Sequence, residues 1–149
     1  MARNNNALNG ESMSRTLFII KPNATQKNRV GAILDLLEKG GLKIVALKML
    51  QLEEGRAKEF YDIHKERPFF ASLVEFMCSG PVIPGVAEGD SAFERCRTIM
   101  GATDPAKADE GTIRKLYGDN IQNNAIHGSD SEENAAREIG FFFPDLASD

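Results

Sequence analysis

Apolar residues recur along this chain in two rhythms, and the switches between them mark out its elements. Thr16 to Ile20 is a short β-branched and aromatic run that predicts a buried strand, stopped at Lys21-Pro22 because proline cannot donate to a ladder. Over residues 28–39, Val30, Ile33, Leu34 and Leu37 fall on one helical stripe, which Gly40-Gly41 ends. Residues 42–50 predict a second strand that alternates in part, so that one face is the more exposed. Glu53 and Glu54 open a helix with Ala57, Phe60, Tyr61 and His64 on one side. Arg67-Pro68 breaks it, and Phe69-Phe70 starts a shorter helix through Leu73, Val74 and Met77. Either both of these phenylalanines are buried or one stands out as an aromatic plate. Residues 81–87 predict a third strand, and Pro84-Gly85 inside it argues for an edge position or a bulge. Residues 90–100 predict a helix with Ala92, Phe93 and Cys96 inward. Residues 101–124 carry no sustained period, and so long an irregular stretch in a compact domain is more often functional or disordered than decorative. A brief strand ending at His127 follows, then a helix over 131–143 with Ala135, Ile139 and Phe142 on one stripe.

The order β-α-β-α-α-β-α-loop-β-α predicts two βαβ units folded together. The result is a ferredoxin-like α+β sandwich: a four-stranded antiparallel sheet with helices packed on one face. A small doubly wound parallel sheet is the alternative. The Pro84-Gly85 interruption and the brevity of the last strand favour the sandwich.

Composition narrows the function classes. The chain has 149 residues, 42% hydrophobic and 27% charged, which suits one folded domain with a single sizeable core. No apolar run approaches the roughly 20 residues that cross a bilayer, so a membrane role is not expected. The net charge of −4 argues against nucleic acid as the primary partner. The polar, Asn-rich start lacks the apolar core of a signal peptide. Residues 1–13 are therefore expected to be a flexible lead-in and 14–149 the domain. Cys78 and Cys96 lie in apolar segments without metal-pair spacing. They read as buried thiols of a cytoplasmic protein, with a disulfide as the alternative.

The chemistry gathers around Asn123-Asn124-Ala125-Ile126-His127-Gly128-Ser129-Asp130-Ser131. Gly128 removes bulk beside the imidazole. Ser129, three residues before Glu132, matches a capping box, and a histidine ahead of a helix N-terminus suits an anion. Taken alone, this stretch is better explained as a loop histidine beside a helix cap. The wider set is Lys21, Tyr61, His64, Arg97, Thr103, Arg114, Asn124, His127, Ser129 and Glu138. It contains permanent cations, hydroxyls, imidazoles and a carboxylate, without zinc spacing, a G-x-x-x-x-G-K-[ST] loop or G-x-G-x-x-G after a strand. Arginine forks bind phosphates and a neutral imidazole can act as a nucleophile, so phosphate chemistry fits.

The sequence resembles the nucleoside diphosphate kinases from about Arg15 onward. The matching stretches are Ile20-Lys21-Pro22, Tyr61 to Phe70, Ser79-Gly80-Pro81-Val82, Met100 to Ala106, Gly111 to Arg114, and the segment around His127. The resemblance implies ping-pong transfer of a γ-phosphate from a nucleoside triphosphate, mainly ATP, to a nucleoside diphosphate. His127 would be the phosphohistidine nucleophile. Arg97, Thr103, Arg114 and His64 would meet the phosphates, and Lys21 and Asn124 the sugar hydroxyls and nearby phosphate. Phe69 would stack on the base, Tyr61 pack beside the site, and Ser129 and Glu138 orient the histidine. Mg²⁺ would be held mainly by the nucleotide phosphates, with no protein ligands. The long loop implies a homo-oligomer, tetramer or hexamer. An inactive scaffold and a nucleic-acid-binding regulator are the competing readings. The intact His127, Ser129 and Glu138 argue against the first and the acidic charge against the second.

Overall fold

The computed structural model describes residues 13–147. Strand β1 (Met13–Ile20) leads into a single helical turn, α1 (Pro22–Thr25). Pro22 sits in that first turn, where a missing N–H is harmless. Next come α2 (Val30–Lys39), β2 (Lys43–Leu47) and α3 (Glu54–Phe60), then a 3₁₀ turn (Asp62–His64) and α4 (Phe70–Met77). The second half holds β3 (Ile83–Asp90), α5 (Ala92–Met100), a 3₁₀ turn (Pro105–Lys107), α6 (Ile113–Tyr117), β4 (Ile126–Gly128), α7 (Glu132–Phe142) and α8 (Pro144–Ala147). The strands make one antiparallel sheet in the order β2-β3-β1-β4, the expected α+β sandwich. Of the expected lead-in, residues 1–12 lie outside the described residues, while Met13 already pairs with Asp90.

Helices cover both faces of the sheet, not one. Side chains alternate along a strand. Phe18 and Ile20 therefore join Ile33, Leu37, Cys96, Met100 and Ile113 of α2, α5 and α6. Leu17 and Ile19 join Phe60, Leu73, Met77, Ile139 and Phe142 of α3, α4 and α7 on the other side. The unbroken apolar run of β1 is what a strand buried on both faces requires.

Pro84-Gly85 is not at an edge. β3 is central, paired with both β1 and β2. Lys48 N–H donates to the Pro84 carbonyl at 3.1 Å, and in an antiparallel strand a residue's N–H and C=O point the same way. The missing donor thus faces the β2 side, just past the end of β2, where little ladder is lost. A register shift does occur, in β2 between Ile44 and Ala46. Gly85 is required by close approach, because a Cβ there would overlap the Phe18 ring.

The irregular stretch 101–124 contains the short α6, capped by Thr112, whose side chain accepts from Lys115 N–H. The capping box expected at Ser129 does not form, and a simple N-cap lies two residues on. Ser131 is the N-cap of α7 and accepts from Asn134 N–H. Ser129 is unavailable because its own N–H continues the sheet ladder to Leu17 O at 3.1 Å.

Candidate active site

β4 is an edge strand whose ladder bonds all go to β1. Lys21 N–H reaches Ala125 O at 2.8 Å and Ser129 N–H reaches Leu17 O. His127 pairs across from Ile19 and Gly128 from Phe18, which puts the imidazole on the α3/α4/α7 face. Gly128 does not make room for that imidazole. On a strand its missing side chain points to the other face, where a Cβ would overlap Met100 Sδ.

The unpaired edge of β4 is closed by arginines. Arg114 Nη2 donates to Ile126 O at 2.8 Å, and Arg97 Nη1 to Gly128 O at 3.2 Å. These carbonyls flank His127, so both guanidiniums are held beside it. Arg114 is buried, donates from Nη1 to Gly101 O at 3.1 Å, and keeps a buried Nε without a partner. Burial first, and the Arg97 charge second, lower its pKa to about 10, so it remains a cation at neutral pH.

The backbone just before β4 is strained. Ala125 has φ 77° and lies at the centre of a γ-turn closed by Ile126 N–H to Asn124 O at 2.9 Å. A non-glycine residue persists there only if its surroundings over-determine it. Asn23 accepts from Ala125 N–H at 3.3 Å and donates to Asn123 O at 2.9 Å. Asn124 donates to Thr103 O at 2.9 Å and accepts from Lys21 Nζ at 2.8 Å. Lys21 also reaches Gln122 O at 3.2 Å. Lys21 is buried rather than a solvated strand end, and burial, followed by the Arg114 charge, lowers its pKa to about 7.

His127 Nε2 lies 2.9 Å from Glu138 Oε1, and Ser129 Oγ donates to the same oxygen at 2.8 Å. Burial alone would push the Glu138 carboxyl up. The His127 charge, the hydrogen bonds from His127 and Ser129, and Arg137 outweigh it, leaving the pKa below the ordinary value. An ionised carboxylate only accepts, so in the neutral imidazole Nε2 carries the proton and Nδ1 keeps the lone pair. Phe60 and Tyr61 present their rings edge-on to the imidazole, at centroid distances of 5.4 and 6.1 Å. Tyr61 is buried, its hydroxyl has no partner, and burial and then the Glu138 charge raise its pKa.

A cavity of about 430 Å³ joins these groups and is lined by Lys21, Tyr61, His64, Phe69, Arg97, Thr103, Arg114, Asn124, His127 and Glu138. Its volume is in the range of small-molecule sites. Of the predicted residues, only Ser129 does not line it; Ser129 is buried behind Glu138. Phe69 is 44% exposed at the mouth, with its ring 5.5 Å from that of His64. The sequence reading missed Phe60, Ile63, Leu73, Ile121 and Arg137, which also line the cavity. Ile121 is 60% exposed. A lone apolar residue in an aperiodic stretch gave no signal, whereas Phe60 sat visibly on the stripe with Tyr61.

The carboxylates lining the cavity are Asp130 and Glu138. Among the described residues no group of three or more His, Cys, Asp or Glu side chains could hold a metal. With Glu138 engaged by His127 and Ser129, this donor set fits a divalent cation that arrives on phosphates, and not one caged by the protein.

A family model described as nucleoside diphosphate kinase matches residues 14–147. The chain belongs to the nucleoside diphosphate kinase family. It is 55% identical over 135 residues to a nucleoside diphosphate kinase of Bordetella pertussis, covering 91% of this chain and 96% of that protein. It is 53% identical over 131 residues to that of Chlorobium limicola, covering 88% and 94%. Among solved structures, it superposes on the Aquifex aeolicus nucleoside diphosphate kinase with a TM-score of 0.88 at 47% identity, covering 91% of this chain and 99% of the other. A halophilic nucleoside diphosphate kinase from Halobacterium salinarum, solved in complex with CDP, gives 0.86 at 43% identity, covering 91% of each. The protein is thus a phosphotransferase that moves phosphate between nucleotides. No helix among the described residues is long and apolar enough to cross a membrane.

Proposed function

We propose that His127 is the phosphate carrier of a ping-pong nucleoside diphosphate kinase. The observation that supports this most directly is the imidazole itself. Its Nε2 is engaged by Glu138 at 2.9 Å, so Nδ1 is the free nucleophilic atom, while two arginines grip the main-chain carbonyls of the residues on either side of His127. In the first half-reaction the Nδ1 lone pair forms a bond to the γ-phosphorus as the bond to the bridging oxygen breaks. The diphosphate leaves with that electron pair. In the second half-reaction a terminal oxygen of the acceptor diphosphate takes the phosphoryl group and the imidazole regains its lone pair. Phosphoryl transfer asks mainly for alignment and charge stabilisation. Arg97, Arg114 and Lys21 supply cations to the phosphates, with Thr103 and His64 as further donors. Asn124, bonded to Lys21 at 2.8 Å, sets that lysine toward sugar and phosphate. Glu138, steadied by Ser129, stabilises positive charge as it develops on the imidazole. Tyr61 packs beside it.

Mg²⁺ would be held mainly by the nucleotide phosphates and would neutralise charge on the transferring group. Phe69, half in solvent, offers a π-face to any base, which supports broad acceptance; ATP as the main donor rests on the family likeness alone. We also read the domain as 14–149 and the enzyme as a cytoplasmic homo-oligomer, tetramer or hexamer. The free thiols Cys78 and Cys96 support the compartment. The exposed Leu47 and Met49, beside the open edge of β2, support self-association.

Incubation with γ-labelled ATP and Mg²⁺ should give an acid-labile, alkali-stable protein phosphate that excess GDP chases into GTP. Equal labelling of His127→Ala would sink the assignment of the carrier.

A further inference from the structure

His127 is gripped from two directions by elements far apart in sequence. Phe60 and Tyr61, at the end of α3, place their rings edge-on to the imidazole. Glu138, in α7, takes its Nε2. One side chain joins these holders. Arg137 Nη2 donates to the carbonyl of Phe60 at 3.0 Å, and its guanidinium carbon lies 5.8 Å from the centre of the Phe60 ring. The Phe60 carbonyl belongs to the last residue of α3, where orphan carbonyls and the negative dipole end favour a cation. Arg137 and Glu138 are neighbours on a helix, so their side chains diverge by about 100°. One step of α7 therefore sends the carboxylate to His127 and the guanidinium to the corner that backs it. Arg137 also lines the cavity, and its charge favours an ionised Glu138.

We infer that Arg137 is a positioning residue for phosphoryl transfer: it ties the end of α3 to α7, so that the Phe60–Tyr61 corner and Glu138 hold the His127 imidazole as one unit. This rests on His127 being the phosphate carrier.

A second cross-link between the same helices supplies the control. Arg56 Nη2 donates to Phe141 O at 3.1 Å, and its guanidinium lies 3.7 Å from the centre of the Phe141 ring. Arg56 does not line the cavity. Both arginines dock α3 on α7, but only Arg137 does so at the imidazole.

The test is the rate of phosphoenzyme formation from γ-labelled ATP and Mg²⁺ in a rapid-quench instrument, together with steady-state kcat and KM. Arg137→Met should slow labelling and kcat about tenfold, with nucleotide KM within about twofold. Arg137→Lys, which keeps the charge and much of the reach, should recover most of the rate, and it carries the test if the methionine variant folds poorly. Arg56→Met should lower Tm and leave the labelling rate as in the parent. Parent-like labelling in Arg137→Met would overturn the inference, as would equal slowing in Arg56→Met. A rise in KM at unchanged kcat would also overturn it, since the guanidinium would then be touching nucleotide. Labelling that persists in His127→Ala removes the carrier reading itself, whereas a labelled parent with an unaffected Arg137→Met removes only this inference.

Discussion

Lys21 and Phe69 line the same cavity, yet they are held in opposite ways. Lys21 is buried, bonded to Asn124 and Gln122, and lies beside a strained turn that Asn23 braces. Arg114, on the same wall, is fixed by Gly101 O and Ile126 O. Phe69 stands at the mouth with nearly half its surface in solvent, and Ile63 and Ile121 are exposed still further. The inner wall is fixed by hydrogen bonds on folding and, on the proposed reading, would meet groups that every nucleotide shares. The outer wall is apolar and bears no fixed donor pattern to read a base edge. Fixed charge is concentrated on the inner wall, and exposed apolar surface at the mouth.

Breaking the inner wall should have the largest effect. Lys21→Met is expected to lower kcat/KM by about 10²–10³, the range for removing a well-placed charge donor. It should also change the pH dependence of stability in the free enzyme. Lys21 titrates near 7 when folded and at 10.5 in its ordinary state. Between those values the unfolded chain binds more protons, so this group makes stability rise with pH across that window. Its contribution is lost as pH falls through 7. Denaturant titrations of Lys21→Met from pH 6 to 10 should lack that rise; an unchanged slope would show that the burial is not costing stability.

Glu138→Gln should have the next largest effect, about tenfold on kcat with little change in KM. The Glu138 carboxyl sits below its ordinary pKa when folded. The stability it confers is therefore present above the ordinary value of 4.5 and lost as pH falls through the folded one. The acid limb of Tm against pH should flatten in the amide variant.

The outer wall predicts a different signature. Phe69→Ala should raise KM about three- to tenfold, from loss of base stacking, with kcat nearly intact. The rise should be similar for purine and pyrimidine diphosphates, and a change confined to one class would mean that this wall discriminates after all. The smallest effect belongs to a glycine at the turn. Ala125→Gly should change stability by less than about 1 kcal/mol, because relief at φ 77° offsets the added backbone freedom. Ala125→Val should destabilise by roughly 1–3 kcal/mol, because a β-branched residue resists that conformation.

The inner wall was legible mainly through punctuation. Pro22 stops β1 and leaves Lys21 at its end, and the His127 segment follows a long aperiodic stretch. The twofold covering of the sheet was written in Leu17-Phe18-Ile19-Ile20, since an unbroken apolar run needs partners on both faces; assigning helices to one face overlooked that. The strain at Ala125 was invisible because no glycine flags it. Ser129 and Ser131 both fit a capping pattern, and what separates them is the ladder bond from Ser129 N–H to Leu17 O and the bond from Ser129 Oγ to Glu138. Arg137 looked like any charge on a solvated helix face, because its target is the carbonyl of Phe60, 77 residues away, and main-chain acceptors leave no mark in a sequence.

Met100 is fully buried, with its sulfur packed where a Gly128 side chain would be. Peroxide can oxidise that thioether only when the packing of α5 on the sheet opens. Sulfoxide formation at Met100, followed by mass spectrometry in dilute peroxide, would therefore count the openings of the layer beneath the strand that carries His127. Saturating nucleotide should slow that chemical clock, while exposed Met49 keeps its own pace as an internal standard.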